Sequence, residues 1–100
     1  MPQETEPDVI ARELYNEALQ LNRLNSFINN LARKKAKGTY DHEKAKKLWA
    51  YLIDDLARAM QKEYGDKVDR ESRNAAVELI ANDPEILEKI DAAARAMKRH

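Results

Sequence analysis

The chain of 100 residues contains no cysteine, only two glycines and three prolines, and no net charge at pH 7. The absence of cysteine excludes disulfides and thiol chemistry. No apolar run approaches the roughly 18 residues of a membrane span, so we expect no membrane helix. Because acidic and basic side chains cancel, nothing draws the whole molecule toward nucleic acid or a membrane surface.

The N-terminal sequence MPQETEPDVI is polar and acidic. It therefore has the character of neither a secretory signal nor a transit peptide. Since the chain also lacks the cysteines typical of small secreted domains, we expect the protein to work in the cytoplasm.

Helix-forming residues dominate the composition, and β-branched residues never alternate long enough to propose a sheet. The sequence therefore predicts an all-α protein, a small bundle of three to four helices in one domain over residues 1–100. Residues 1–6 form a polar lead-in. The helices are expected at about 7–37, 41–64, 70–81 and 84–98. Every connection is short, which favours antiparallel packing of consecutive helices.

The first predicted helix is long for an unbroken one. Asn22, Asn25 and Asn29 form a row beside its apolar stripe, and Asn is a poor helix former. Two explanations stay open: a bend or break within Asn22–Ser26, or hydrogen bonding to a neighbouring helix or partner chain. Asp41, Asp69 and Asp83 are the expected N-caps of the later helices, with Thr39 and Ser72 as alternatives for the first two, and Gly38 is the expected left-handed residue that ends the first.

The 41–64 helix is expected to be central, because it is the most strongly amphipathic segment and carries the only Trp. Its inward residues are Ala45, Leu48, Trp49, Leu52, Leu56, Ala59 and Met60, with Ile53 beside them. In the next helix Ala75, Ala76, Leu79 and Ile80 are expected to face the core.

Catalytic and metal-binding arrangements are not recognisable. Asp41, His42 and Glu43 are consecutive on a helix, so their side chains diverge by about 100° and cannot close on one ion. Asp54 and Asp55 diverge in the same way, and Arg58 is placed to pair with either. No glycine-rich phosphate loop exists. We therefore expect no enzyme, no metal and no cofactor.

Tyr51 is the first candidate for binding. By helical angle it shares a face with Lys44, Lys47, Asp55 and Arg58, away from Trp49 and Leu52. An exposed aromatic ringed by charges is typical of a protein-binding hot spot, which would use Tyr51, Lys47, Asp55 and Arg58. The alternative is that another helix covers Tyr51 and leaves only its hydroxyl in solvent.

A concentration of basic residues around one turn is the second candidate. We call this region the basic end. It comprises seven cations and the tyrosine between them: Arg33, Lys34, Lys35, Lys37, Tyr40, Lys44, Lys46 and Lys47. Its cations could bind phosphates and Tyr40 could stack on a base, which indicates a weak nucleic-acid-binding function. A solvated helix end that keeps the protein soluble is the competing interpretation, and no helix-turn-helix spacing is visible.

The segment LARKKAKGTYDHEKAKKLWAYLIDDLARAMQKEYG, residues 31–65, resembles small helical proteins of bacteriophages and mobile elements without assigned function. The resemblance implies an accessory protein and carries over no catalytic residue. The expected partner is another protein, with nucleic acid as the alternative, and self-association through the first helix stays open.

Overall fold

A computed structural model describes residues 6–65 and 68–98. Over this range the all-α prediction is confirmed, but the predicted count of three to four helices is wrong: the described residues form five. They are α1 (Glu6–Leu19), α2 (Arg23–Ala36), α3 (His42–Tyr64), α4 (Arg70–Ala81) and α5 (Pro84–Lys98). Apart from Glu6, where α1 begins, the predicted lead-in lies outside the described residues.

The additional helix arises because the first predicted helix is broken between α1 and α2. Backbone hydrogen bonds there tighten to three-residue spacing, from the Gln20 N–H to the Glu17 carbonyl and from the Leu21 N–H to the Ala18 carbonyl. The Asn22 side chain makes no capping hydrogen bond. The break lies at the N-terminal edge of the predicted Asn22–Ser26 segment, so the Asn row accompanies a local interruption of the helix.

The later helices begin at the predicted aspartates. The Asp41 carboxylate accepts hydrogen bonds from the backbone N–H groups of Glu43 and Lys44, at 2.9 and 3.4 Å. Asp69 accepts from the Ser72 N–H at 2.8 Å, and Asp83 from the Glu85 N–H at 2.8 Å. Each carboxylate thereby satisfies amides that have no partner inside the helix.

Gly38 ends the preceding helix as predicted. It adopts a φ of 75°, which other residues reach only with strain. The reversal lets the Thr39 N–H donate to the Lys34 carbonyl at 2.8 Å, so the last turn of α2 is closed before α3 starts.

The helices do not pack mainly in consecutive pairs, contrary to the expectation from short connections. The extensive contacts are α2 with α5, α1 with α4 and α3 with α4, while α3 also packs on α1 and meets α2. Lys46–Glu78 and Asp54–Arg73 ion pairs join α3 and α4 in antiparallel order. The break after α1 redirects the chain, so that α2 buries its stripe against α5 instead of against α3.

The core runs through all five helices, with Trp49, Leu14, Leu31, Leu52 and Ile80 among its most buried side chains. Two predicted core positions are wrong. Leu79 is 40% exposed and Ala59 is exposed, because each lies at the edge of a stripe that the neighbouring helix covers only along its centre.

Candidate functional site

The open face of α3 is the most continuous candidate surface. Lys44, Lys47, Tyr51, Asp55, Arg58 and Lys62 recur at helical spacing, and all six are exposed. We call this set the Tyr51 face. Tyr51 lies in its middle and is 71% exposed. Of the two alternatives for this residue, the structure has the uncovered one, because no other described helix lies over the ring.

The opposite side of α3 explains why the Tyr51 face is open. Trp49 is only 1% exposed, and Leu52 and Ile53 are fully buried against the neighbouring helices. The Trp49 ring packs on Phe27 of α2, with centroids 5.7 Å apart. Packing therefore fixes the rotation of α3 about its axis, and that rotation turns Tyr51 outward.

The acid of the Tyr51 face is engaged within the molecule. Asp55 pairs with Arg23 at the start of α2, with 3.1 Å between the Arg23 Nη1 and Asp55 Oδ2 atoms. Asp54 pairs with Arg73 at 3.6 Å. Arg58 pairs with neither aspartate, contrary to the sequence interpretation, because helices α2 and α4 supply both with an arginine.

The cations of the Tyr51 face have no such partner. Within residues 6–65 and 68–98, no carboxylate lies in ion-pair distance of them; they are Lys44, Lys47, Arg58 and Lys62. The face consequently presents uncompensated positive charge around one exposed aromatic ring.

The basic end is less open than its sequence suggests, because two of its lysines are used in helix packing. Lys35 forms an ion pair with Asp91 of α5. Lys46 reaches Glu78 of α4 at 2.8 Å and Glu43 at 3.7 Å. The hydrogen bond from Lys46 holds the pKa of Glu78 below its ordinary value, and the same contact raises the pKa of Lys46.

Tyr40 is half-buried at the base of this end. Its hydroxyl lies 3.4 Å from His42 Nδ1, and the Lys35 Nζ atom lies 5.6 Å from the ring centroid, within cation–π range. Burial raises the pKa of the Tyr40 hydroxyl, against the opposing effect of Lys35. Tyr40 is therefore less exposed than Tyr51, and its side chain already has His42 and Lys35 as neighbours.

The open cations of the basic end are Arg33 and Lys34 on α2, Lys37 directly after it, and Lys44 and Lys47 on α3. Arg33 and Lys34 lie in the last turn of α2. Cations there complement the negative end of the helix dipole. These two therefore have a structural reason to be basic, independent of any ligand.

A groove between α1 and α4 was not anticipated from the sequence. It is an open groove with a volume of about 870 Å³, bordered by Ala11, Tyr15, Leu79 and Asp83. The Tyr15 hydroxyl donates to the Asp83 carboxylate at one end of it. This hydrogen bond, followed by burial, raises the pKa of Tyr15 to about 12. The small residues Ala11 and Ala75 both line the groove, but they lie on helices that are distant in sequence, so the sequence alone does not bring them together.

Two other arrangements carry no chemistry. No group of three or more His, Asp or Glu side chains that could hold a metal occurs in the described part of the chain. Ser72 is buried and donates its hydroxyl to the Asp69 carbonyl at 2.9 Å, so it serves the start of α4.

Across the described residues, none of the helices has both the length and the apolar character that crossing a bilayer requires. In comparisons with known proteins, no protein-family model, curated protein or solved structure matches the chain. The resemblance of residues 31–65 to phage proteins stays a prediction, and functional proposals rest on the geometry of the surface.

Proposed function

We propose that the protein is a non-enzymatic binding module, an accessory or regulatory protein of the cytoplasm that contacts another protein through the Tyr51 face. The observation that carries this proposal is Tyr51 itself, 71% exposed at the centre of the open face of α3. Among the residues that the structure describes, none makes an aromatic contact with its ring or a hydrogen bond with its hydroxyl.

The physical basis is the energetics of interfaces. A tyrosine covered by a partner buries a large apolar ring while its hydroxyl finds a hydrogen bond, and it loses little side-chain entropy. Lys47 and Arg58 flank the ring on the same face. The burial of Trp49 and Leu52 holds α3 in place, so the binding surface is preorganised before a partner binds.

Site-specific photo-crosslinking tests the proposal. A photoreactive phenylalanine analogue at position 51 should give a discrete crosslinked protein in cells, identifiable by mass spectrometry. The matched control places the analogue at Asn74, which is exposed on α4 and should give none. Tyr51→Ala should then abolish binding of the purified partner while leaving the helical circular dichroism unchanged. A partner that binds the Tyr51→Ala protein with full affinity would refute the role of Tyr51.

Weak nucleic-acid binding through the basic end is the second candidate. It is favoured by the five open cations on either side of the α2–α3 turn, among them Lys34, Lys37 and Lys47. Fluorescence anisotropy with duplex DNA and with single-stranded RNA tests it. Binding should weaken steeply with added salt and be lost in a variant with Lys34, Lys37, Lys44 and Lys47 reversed to Glu. The absence of binding at low salt eliminates this function.

A further inference from the structure

The cations of the Tyr51 face form two pairs. Lys44 and Lys47 lie on the N-terminal side of Tyr51, and Arg58 and Lys62 lie on its C-terminal side. At 1.5 Å per residue, the midpoints of the pairs are about 22 Å apart along the helix axis. Tyr51 is nearer the first pair, at about 8 Å, than the second, at about 13 Å.

The negative charge between the pairs is already neutralised. Asp55 is the only acid on the Tyr51 face, and it is paired with Arg23 of α2 at 3.1 Å. The face therefore presents a positive, an aromatic and a positive region in sequence. Asp55 is thus engaged by Arg23 and adds little free negative charge to the face.

Three other cations of the described residues pair with an acid on a neighbouring helix. Lys35 pairs with Asp91, Lys46 with Glu78 and Arg73 with Asp54. Lys44 has an additional disadvantage, because it lies in the first turn of α3, where the positive end of the helix dipole disfavours a cation. Lys62 lies in the last turn and suits its own helix end. Among the described residues Lys44, Lys47 and Arg58 form no ion pair, and none of the three lies in the last turn of its helix, where the dipole would favour a cation.

From this charge pattern we infer that the partner is an acidic amphipathic helix that lies along α3 and presents two carboxylate clusters about 22 Å apart, with an apolar residue between them to cover Tyr51. The inference rests on the proposed protein-binding function and specifies its partner class. At helical rise, the clusters of the partner are separated by about 14 or 15 residues.

A helix suits this surface better than a phosphate backbone does. The Tyr51 face is narrow and follows one side of a single helix, and two helices pack along such a line with side chains interdigitating. The phosphates of a duplex could contact the cations, but the apolar Tyr51 ring would then face the charged backbone. Steering by the two positive regions would orient the partner before contact.

A synthetic probe tests the inference directly. The probe is a roughly 25-residue helical peptide of Ala and Gln with two Glu pairs about 14 residues apart and a Leu between them. A peptide of the same composition with its Glu residues evenly spaced is the control for spacing, and duplex DNA is the control for phosphate. Binding of each to the full chain is measured by fluorescence anisotropy.

We expect the two-cluster peptide to bind at least tenfold more tightly than the evenly spaced one. Lys44→Glu/Lys47→Glu and Arg58→Glu/Lys62→Glu should each weaken its binding about tenfold, because each removes two ion pairs and adds repulsion. The matched control is Lys34→Glu/Lys37→Glu, which makes the same change in net charge at the C-terminal end of α2 and should leave binding nearly unchanged.

Equal binding of the two peptides, or tighter binding of DNA than of either, would overturn the inference. An equal loss with the Lys34→Glu/Lys37→Glu control would do so as well, since net charge alone would then explain binding. If neither peptide binds while position 51 still crosslinks to a protein, the acidic helix is wrong and the proposed function stands. If crosslinking at position 51 also fails, both are wrong.

Discussion

Trp49 and Tyr51 are two residues apart on α3 and have opposite surroundings. Trp49 is 1% exposed and packs on Phe27, whereas Tyr51 is 71% exposed. The covered side of α3 carries contacts to α1, α2 and α4, whereas the open side carries cations that form no ion pair with any described residue. The two sides can therefore change independently: substitutions on the covered side should affect stability, and substitutions on the open side should affect binding.

The largest effect is expected at the covered side. Trp49→Ala should destabilise the protein by about 3–5 kcal/mol, since it removes a buried aromatic side chain and leaves a cavity beside Phe27. That loss is a large part of the stability of a domain of this size. Urea unfolding followed by circular dichroism measures it. A change below about 1 kcal/mol would mean that the covered side of α3 is not the centre of the core.

A second tyrosine gives an intermediate case. The Tyr15 hydroxyl donates a hydrogen bond to the Asp83 carboxylate, which also caps α5. Tyr15→Phe should cost about 1–2 kcal/mol at neutral pH, because it removes a hydrogen bond to a charged group. Urea unfolding of the two proteins at pH 7 gives the difference directly.

The same contact makes stability depend on pH in the alkaline range. The pKa of Tyr15 is raised from 10.0 to about 12, so the contribution of the hydrogen bond is fully present below pH 10. It is lost as the pH rises toward 12, because the folded state then holds a proton that the unfolded state has released. Between pH 9 and pH 11.5 the wild type should lose more stability than Tyr15→Phe. Parallel curves for the two proteins would contradict the hydrogen bond.

Lys46 and Lys47 extend the comparison to two neighbours in sequence. Lys46 forms an ion pair with Glu78 of α4, whereas the Lys47 side chain is exposed to solvent. Lys46→Ala should lower the urea midpoint slightly, whereas Lys47→Ala should not. Because the pKa of Glu78 is lowered from 4.5, the contribution of the pair is present above that pH and is lost in acid. The difference between wild type and Lys46→Ala should therefore be present at pH 7 and shrink at pH 3.

The features of α3 that could be predicted from sequence are the local ones. The N-cap at Asp41 and the end of α2 at Gly38 each depend on residues within a few positions of one another. Helical angle alone placed Tyr51 and Trp49 on different faces of α3. Whether another helix covered Tyr51 could not be decided, because that depends on which helices pack against α3.

The features that were missed or left open depend on contacts between distant segments. A break within Asn22–Ser26 was only one of two explanations left open by the sequence, because no glycine, proline or side-chain cap marks it. The pairing of α2 with α5 could not be told from a pairing with α3, since apolar stripes of similar width are interchangeable in sequence. The prediction that Leu79 is buried was wrong because its exposure depends on how α1 and α4 pack together. It borders the groove between these two helices, and the sequence of either helix alone does not indicate that groove.

The smallest effect on stability is expected where the effect on binding is greatest. Tyr51→Ala should change the free energy of unfolding by less than about 0.5 kcal/mol, because the ring is exposed and alanine is the better helix former. Measured beside Trp49→Ala under the same conditions, it tests whether the two sides of α3 are separate. A loss of more than about 1 kcal/mol would show that the Tyr51 ring contributes to the fold. Reduced binding of the Tyr51→Ala protein could then be attributed to destabilisation, whereas unchanged stability with lost binding can only come from the surface that the ring occupies.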